Sequence, residues 1–155
     1  MTEDASKQRQ EPFLTQSTQR TQRTNMKNNP DKPALNEVSG VVVDCAVQIH
    51  RKLGPGLLES TYRMILAHEL HKRGLLVEQE VSVPIEWDGL KVETGFRADM
   101  IVEDAVIIEL KSVEQITALH KKQLFTYMRL ADKRLGLLIN FGQVLLKDGI
   151  VRIVN

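Results

Sequence analysis

The sequence predicts an α/β fold in which helices pack on a central β-sheet. From residue 35 to residue 73, apolar residues recur at the three- and four-residue spacing of amphipathic helices. From Leu76 onward the spacing changes to the alternation typical of strands, and a further helical segment separates two groups of strands. The predicted order is therefore two helices, three strands, a helix, a strand and a final hairpin.

The first 34 residues differ in composition from the rest of the chain. The stretch "TQSTQRTQRTNMKNNPDKP" is rich in Thr, Gln, Asn and Arg and has almost no apolar residues. Such a segment cannot bury enough apolar surface to offset the loss of chain entropy. We therefore expect residues 1–34 to be a disordered polar tail and residues 35–155 to be one folded domain.

Charge and hydropathy narrow the class of protein. Residues 1–35 contain six Lys or Arg and four Asp or Glu, which leaves fifteen basic and sixteen acidic residues in the remainder. A nearly neutral domain is not typical of a dedicated nucleic-acid binder, which is usually strongly basic. The sequence has no run of about 18 apolar residues and only one cysteine, and its polar N-terminus leads us to expect no secretory signal. We expect a cytoplasmic protein that does not enter a membrane.

The two predicted N-terminal helices are bounded by glycine. The first begins near Leu35, and its apolar positions are Val38, Val42, Cys45, Ile49 and Leu53. The segment Gly54–Gly56 ends it, because glycine is favoured at helix C-termini and proline cannot continue a helix. The second helix runs from about Glu59 to Arg73 and ends at Gly74.

Three strands are predicted next, over residues 76–87, 91–102 and 105–112. In the first strand, Pro84 indicates an edge position or an irregularity, because proline cannot donate a ladder hydrogen bond. The pair Asp88-Gly89 is a typical hairpin turn between the first two strands. The later elements are a helix near 114–131, a buried strand over 134–142 and a hairpin over 144–154 that turns at Asp148-Gly149.

The second and third strands carry charged residues among apolar ones. In "FRADMIVEDAVIIELKS" these residues are Asp99, Glu109 and Lys111, and ionised side chains are rarely buried unless they are paired or bind a metal. Glu109 and Lys111 are two apart on one strand and therefore face the same side. A two-residue turn would place Asp99 opposite Ile108 on the other face, whereas a three-residue turn or a bulge would place it opposite Glu109.

Two carboxylates in facing positions repel each other and require a cation or a shared proton. Together with a backbone carbonyl and water molecules, they form an oxygen shell suited to Mg²⁺. Lys111 would then orient an attacking water or stabilise the charge that develops on a phosphate. The alternative is that Asp99, Glu109 and Lys111 lie on a solvated strand face and form a weak ion pair.

Two further groups of polar residues are candidates for a site. Glu59 and Tyr62 share a face near the start of the second helix; the alternative is an acid in the first helical turn beside a half-buried tyrosine. His120, Gln123 and Tyr127 line one side of the third helix, where they would contact a phosphate or a base. The alternative is an exposed helix face. The sequence has no zinc-ligand spacing, phosphate-binding loop or dinucleotide motif.

Several segments of the sequence resemble the GxxExxY family of small bacterial and archaeal proteins. They are "IHRKLGPGLLESTY", "GFRADMIVED", "VIIELKSVE", "HKKQLFTYM" and "GLLINFG" followed by "LLKDGI". The motif that names the family corresponds to Gly56, Glu59 and Tyr62, and the resemblance extends from about Leu35 to the end. This family is placed in the PD-(D/E)xK nuclease superfamily. The resemblance therefore implies a restriction-endonuclease-like αβββαβ core, with a mixed central sheet flanked by helices, plus a C-terminal hairpin.

The resemblance also implies roles for the charged strand residues. Asp99, Glu109 and Lys111 correspond to the two acids and the lysine of the superfamily motif. Leu110 would supply its backbone carbonyl to the metal, so the implied metal ligands are Asp99, Glu109 and Leu110. Ala98 stands where the motif has proline, but that proline is not a ligand.

Outside this motif, the resemblance implies supporting residues on the helices. Glu59 corresponds to an acid that touches the metal directly or through water, and we count it among the catalytic candidates. Gln123 corresponds to a helix glutamine of exonuclease-like branches, and Tyr127 follows it on the same face. We expect Gln123, Tyr127, Tyr62 and His120 to contact the substrate.

The implied activity is a Mg²⁺-dependent nuclease, with Mn²⁺ as the alternative metal, that hydrolyses phosphodiester bonds in DNA or in RNA. The rival hypothesis is a catalytically silent nucleic-acid-binding or protein-interaction module on the same fold, since the superfamily contains members that bind without cutting. Because the domain is nearly neutral, we expect that a homodimer or a protein partner helps it hold a duplex.

Overall fold

The computed structural model describes residues 34–155, so the predicted tail, apart from Ala34, lies outside the described residues. Two helices come first, α1 (Leu35–Leu53) and α2 (Glu59–Lys72). The remaining elements are β1 (Val77–Trp87), β2 (Leu90–Val102), β3 (Val106–Lys111), α3 (Ala118–Leu130), β4 (Leu135–Asn140), a 3₁₀ helix (Leu146–Gly149) and β5 (Ile150–Val154).

The five strands form one mixed sheet in the order β1-β2-β3-β4-β5. All neighbouring strands are antiparallel except β3 and β4, which are parallel. Helix α3 makes the connection between β3 and β4, because parallel neighbours require a crossover. The sheet and its flanking helices confirm the predicted α/β fold and are consistent with a restriction-endonuclease-like arrangement.

Helices cover both faces of the sheet. On one face, α1 and α2 bury residues such as Val42 and Leu66 against Ile108 of β3. On the other face, Leu124 of α3 packs in a second core with Ile107. Strands β3 and β4 are buried from both sides, which explains why their sequences are almost continuously apolar. None of the helices in the described part of the chain is long and apolar enough to span a membrane.

The hairpin formed by β1 and β2 extends past the rest of the sheet. Strand β3 pairs with only the last three residues of β2, 100–102. The pairing of β1 with β2 shifts register between Val83 and Ile85, which confirms the irregularity predicted at Pro84. At the tip, Asp88 and Gly89 form the turn, and the neighbouring Trp87 is largely exposed.

The C-terminal hairpin differs in detail from the prediction over residues 144–154. The segment before Asp148 is not a strand: Leu146 begins the 3₁₀ helix, and β5 pairs with β4 instead. Val144 is exposed, whereas Leu146 is buried in the core beneath α1. Burial of Leu146 therefore decides the local conformation, and the hairpin consists of β4 and β5 with the 3₁₀ helix in the connection.

Candidate metal and active site

The turn between β2 and β3 decides which way Asp99 faces. Val102 pairs with Val106, so the connection consists of three residues, 103–105. Two of them have left-handed backbone conformations, with φ of 55° and 51°. Of the two turn lengths compatible with the sequence, this is the one whose register continues to place Asp99 opposite Glu109.

Asp99 lies just beyond the last pair of residues in the β2–β3 ladder. Its Oδ2 accepts a hydrogen bond from the backbone N–H of Leu110 at 2.8 Å. The N–H and C=O of one strand residue point to the same side, so the Leu110 carbonyl also points toward this gap between the strands. The next carbonyl along, that of Lys111, points the opposite way and accepts from the Phe141 N–H at 2.7 Å.

Glu109 is a buried acid, with only 7% of its surface exposed. Its Oε2 lies 3.7 Å from Nζ of Lys111, whereas its Oε1 is buried and has no hydrogen-bond partner among the described residues. Burial, and then the negative charge of Asp99, raise the pKa of Glu109 to about 7, although Lys111 acts in the other direction. A bound cation would interact with the unpaired Oε1 and would reduce the repulsion between the two acids.

The donor atoms in this gap suit a hard divalent cation. Asp99, Glu109 and the carbonyl of Leu110 offer oxygen ligands, which Mg²⁺ and Mn²⁺ prefer. Across residues 34–155, no group of three or more His, Cys, Asp or Glu side chains is placed to hold a metal ion. Asp99, Glu109 and the Leu110 carbonyl therefore fit a site completed by water. Glu59 is not grouped with the two carboxylates as a direct ligand.

Glu59 lies against the chain that follows β3. Its Oε1 accepts a hydrogen bond from the backbone N–H of Ser112 at 2.9 Å, and the Ser112 hydroxyl donates to the carbonyl of Leu57 at 3.0 Å. These bonds fasten the start of α2 to the residue after Lys111. The structure thus brings Glu59 beside the end of β3, with one oxygen already engaged by the backbone.

Tyr62 is a core residue. Its side chain is completely buried, and its ring stacks on Phe141 with the centroids 4.1 Å apart. Its hydroxyl donates to the carbonyl of Gly54 at 2.5 Å and accepts from the N–H of Leu57 at 3.3 Å. The expectation that Tyr62 contacts a substrate does not agree with this burial, because the residue has no exposed surface to offer.

We expect the two contacts of Tyr62 to contribute differently to stability. Tyr62→Phe removes only the hydroxyl bonds and should lower the free energy of unfolding by about 1 kcal/mol. Tyr62→Ala also removes the stacked ring and should lower it by about 3–5 kcal/mol. Urea unfolding followed by circular dichroism measures both values, and equal losses would contradict the importance of the stacked ring.

Tyr127 is the residue of α3 that faces the site. Its ring stacks on Phe96 with the centroids 4.0 Å apart. Burial raises the pKa of the Tyr127 phenol, and the nearby carboxylates of Glu109 and Asp99 raise it further. Gln123, one helical turn earlier, is exposed. The predicted polar side of α3, which carries His120, Gln123 and Tyr127, therefore lies on the same side of the sheet as Glu109.

His120 forms part of the N-terminal cap of α3. Its Nδ1 accepts from the backbone N–H of Thr117 at 3.2 Å, while the Thr117 hydroxyl accepts from the N–H of His120 at 3.3 Å. One ring nitrogen is thereby engaged in the cap, and Nε2 is the nitrogen left to contact a substrate.

Three residues at the site were not identified from the sequence, and Arg63 and Glu80 are two of them. Arg63 places Nη1 at 4.0 Å from Oδ1 of Asp99 and Nη2 at 3.4 Å from Oε2 of Glu80. The sequence held one signal for Arg63, which follows Glu59 by four residues and so shares its helix face. Glu80 had no comparable signal, because its left-handed backbone, with φ of 52°, is not visible in the strand pattern.

Asn140 is a third such residue, and it fixes the loop after β3. Its side chain is completely buried. Its amide oxygen accepts from the N–H groups of Val113 and Gly142, and its amide nitrogen donates to the carbonyl of Val113. Asn140 pairs with Lys111 in the ladder, so it holds the chain directly after the lysine. A buried amide at the end of an apolar strand is the signal that marks it in the sequence.

The mixed five-stranded sheet and its flanking helices form an α/β domain with a nuclease-type fold. The model of the PD-(D/E)XK nuclease superfamily matches residues 36–153, which include Asp99, Glu109 and Lys111. The chain therefore belongs to the PD-(D/E)XK nuclease superfamily. Comparison with curated proteins and with solved structures gave no significant match.

Proposed function

We propose that this protein is a divalent-metal-dependent nuclease of the GxxExxY type that acts in the cytoplasm. Its substrate would be DNA, with RNA as the alternative. The observation that supports this proposal is the placement of Asp99 beside Glu109, whose buried Oε1 has no partner among the described residues. Membership of the nuclease superfamily supports the same activity.

The residues of the β2–β3 gap would divide the chemistry among them. Asp99, Glu109 and the carbonyl of Leu110 would hold Mg²⁺ or, alternatively, Mn²⁺. When bound, such a metal polarises a phosphate and makes water easier to deprotonate. The ammonium group of Lys111 would orient the attacking water and stabilise negative charge on the phosphate oxygens. Glu59 keeps the end of β3 in place, and we assign its second oxygen to an indirect contact through water.

Helix α3 would contact the nucleic acid. A tyrosine hydroxyl is protonated near neutral pH, and burial raises the pKa of Tyr127 further, so Tyr127 would donate a hydrogen bond to a phosphate. Gln123 is exposed one turn away and would contact a phosphate or a base, and His120 would reach the backbone from the helix start. Since the domain has little net charge, we propose that a second subunit or a protein partner helps it hold a duplex.

We expect cleavage to depend on metal and on Asp99. Wild-type protein should cut single- or double-stranded DNA or RNA with Mg²⁺ or Mn²⁺ and should not cut in EDTA. Asp99→Asn, purified in the same way, should be slower by at least about 100-fold. Gel analysis of end-labelled substrates measures both rates.

Equal cleavage by wild type and Asp99→Asn would show that a contaminant is responsible. If no substrate is cut with either metal while oligonucleotides still bind, the protein is a non-catalytic module. That module would also keep its oligonucleotide affinity after Glu109→Gln.

A further inference from the structure

The guanidinium of Arg63 lies beside the candidate metal site with incomplete hydrogen bonding. Its side chain is only 16% exposed. Its contacts to Asp99 and Glu80, at 4.0 and 3.4 Å, are longer than charge-assisted hydrogen bonds, which are about 2.7–2.9 Å. Its Nε is buried and has no partner among the described residues. The Nε donor of Arg63 is therefore not satisfied by any residue from 34 to 155.

Arg63 and Glu109, on either side of Asp99, each have one buried polar atom that lacks a hydrogen-bond partner among the described residues. Within residues 34–155, Arg63 Nε and Glu109 Oε1 are the two buried side-chain atoms without a hydrogen-bond partner. The first is a donor and requires an acceptor, whereas the second is an acceptor and is satisfied by a cation. A metal ion alone would leave Nε of Arg63 without an acceptor. A phosphate supplies acceptor oxygens in the planar geometry that a guanidinium matches.

We propose that Arg63 binds a phosphate of the nucleic acid and that, without this phosphate, it opposes metal binding at Asp99. This inference rests on the proposed nuclease function. The Asp99 carboxylate is already oriented by the N–H of Leu110 at 2.8 Å, so Arg63 is not needed to hold it. The positive charge of Arg63 instead weakens the negative potential that attracts a divalent cation.

Binding of phosphate and binding of metal are therefore coupled through Arg63. A phosphate that accepts hydrogen bonds from Arg63 neutralises the charge that repels the cation. By linkage, a bound cation then strengthens the binding of the phosphate. The site becomes fully satisfied only when both are present, which ties metal occupancy to the presence of nucleic acid.

Arg63→Gln should change two affinities in opposite directions. The affinity for Mn²⁺, measured by isothermal titration calorimetry, is expected to rise about fivefold because a repelling charge is removed. The affinity for a short fluorescein-labelled single-stranded DNA, measured by fluorescence anisotropy in EDTA, is expected to fall about tenfold with the loss of charge-assisted hydrogen bonds. A residue that only supports the fold would lower both affinities.

Two further variants separate charge from geometry. Arg63→Lys keeps the charge but loses the planar donors, so its Mn²⁺ affinity should stay within about twofold of wild type while its DNA affinity falls. Arg73→Gln is the control at the C-cap of the same helix, since Arg73 pairs with Asp44 at 2.6 Å, outside the site. Neither of its affinities should change by more than about twofold.

A folded Arg63→Gln protein that loses both affinities, or changes neither, would overturn the inference. If circular dichroism shows that Arg63→Gln does not fold, Arg63→Lys decides, and an unchanged DNA affinity overturns the phosphate contact. A wild-type protein that binds no Mn²⁺ would count against the proposed nuclease instead. The DNA measurement would then still decide whether Arg63 contacts phosphate.

Discussion

Replacing Lys111 with alanine is expected to lower metal-dependent cleavage by about 100- to 1,000-fold, the usual effect of removing one group that stabilises transition-state charge. The structure fixes the backbone of Lys111 on both sides. Lys111 ends β3 and pairs with the buried Asn140 of β4, and its carbonyl oxygen accepts a hydrogen bond from the N–H of Phe141. Its Nζ lies 3.7 Å from Glu109, so the ammonium is held beside the proposed metal ligands.

The loss should appear in kcat rather than in metal affinity. Lys111 is a cation beside Glu109, so its removal should leave the Mn²⁺ affinity equal to or higher than that of wild type. Lys111→Met, which keeps the aliphatic stem, should lose as much activity as Lys111→Ala. Lys147→Ala, at an exposed position of the 3₁₀ helix, is the matched control. Full activity in Lys111→Met would show that the charge is not needed.

Periodicity was sufficient to predict most elements of the fold. Helices α1 and α2 were predicted within one residue, because glycine follows each of them and their apolar stripes are clear. The start of α3 was predicted near residue 114 but lies at Ala118, after the cap formed by Thr117. The four intervening residues are held in a loop by tertiary contacts, such as the bond from Gln143 to the carbonyl of Glu114. Contacts of this kind leave no periodic trace in a sequence.

The apolar pattern of the sequence could not show whether Asp99 lies opposite Glu109. Two-residue and three-residue turns both agreed with the apolar pattern, and they place Asp99 on opposite faces. The left-handed conformations of Glu103 and Asp104 decide between them, and acidic residues adopt that conformation only occasionally. The resemblance to a nuclease family implied the correct alignment, whereas the physical pattern left both open.

Arg63 could not be placed from the sequence for a related reason. Its partners, Asp99 and Glu80, lie on neighbouring strands and far along the chain from α2. Helical spacing put Arg63 on the same face as Glu59 but did not show what that face covers. The packing of α2 on β1 and β2 supplies this information, and packing depends on the whole core rather than on local residues.

Glu109→Gln is expected to stabilise the metal-free protein at about pH 8 while it abolishes metal-dependent cleavage. Burial, and then the charge of Asp99, raise the pKa of Glu109 from 4.5 to about 7. An acid with a higher pKa in the folded than in the unfolded chain contributes its full stability below pH 4.5 and loses it as the pH rises through about 7. At about pH 8 the ionised carboxylate therefore destabilises the fold, and a neutral glutamine removes this effect.

At about pH 8 the free energy of unfolding of Glu109→Gln should exceed that of wild type by about 2 kcal/mol. This is less than the pKa shift alone would give, because the substitution also removes the ion pair of Lys111. At about pH 5 the carboxyl of the folded wild type is protonated and the unfolded chain, with a pKa of 4.5, gains little by ionising, so the two proteins should differ by less than about 1 kcal/mol. Urea unfolding in EDTA at the two pH values measures the difference. Glu86→Gln, at an exposed position on β1, is the control and should show no change between them.

Addition of Mn²⁺ should reverse the order of stability at about pH 8. A ligand that binds only the folded state stabilises it in proportion to the logarithm of its saturation, so wild type should gain stability and Glu109→Gln should not. The buried Glu109 carboxylate would then destabilise the metal-free protein and stabilise the metal-bound protein. If Glu109→Gln is no more stable than wild type without metal, the Glu109 carboxylate is not held in an unfavourable environment. Its unpaired oxygen then does not indicate a bound cation, whatever the fold.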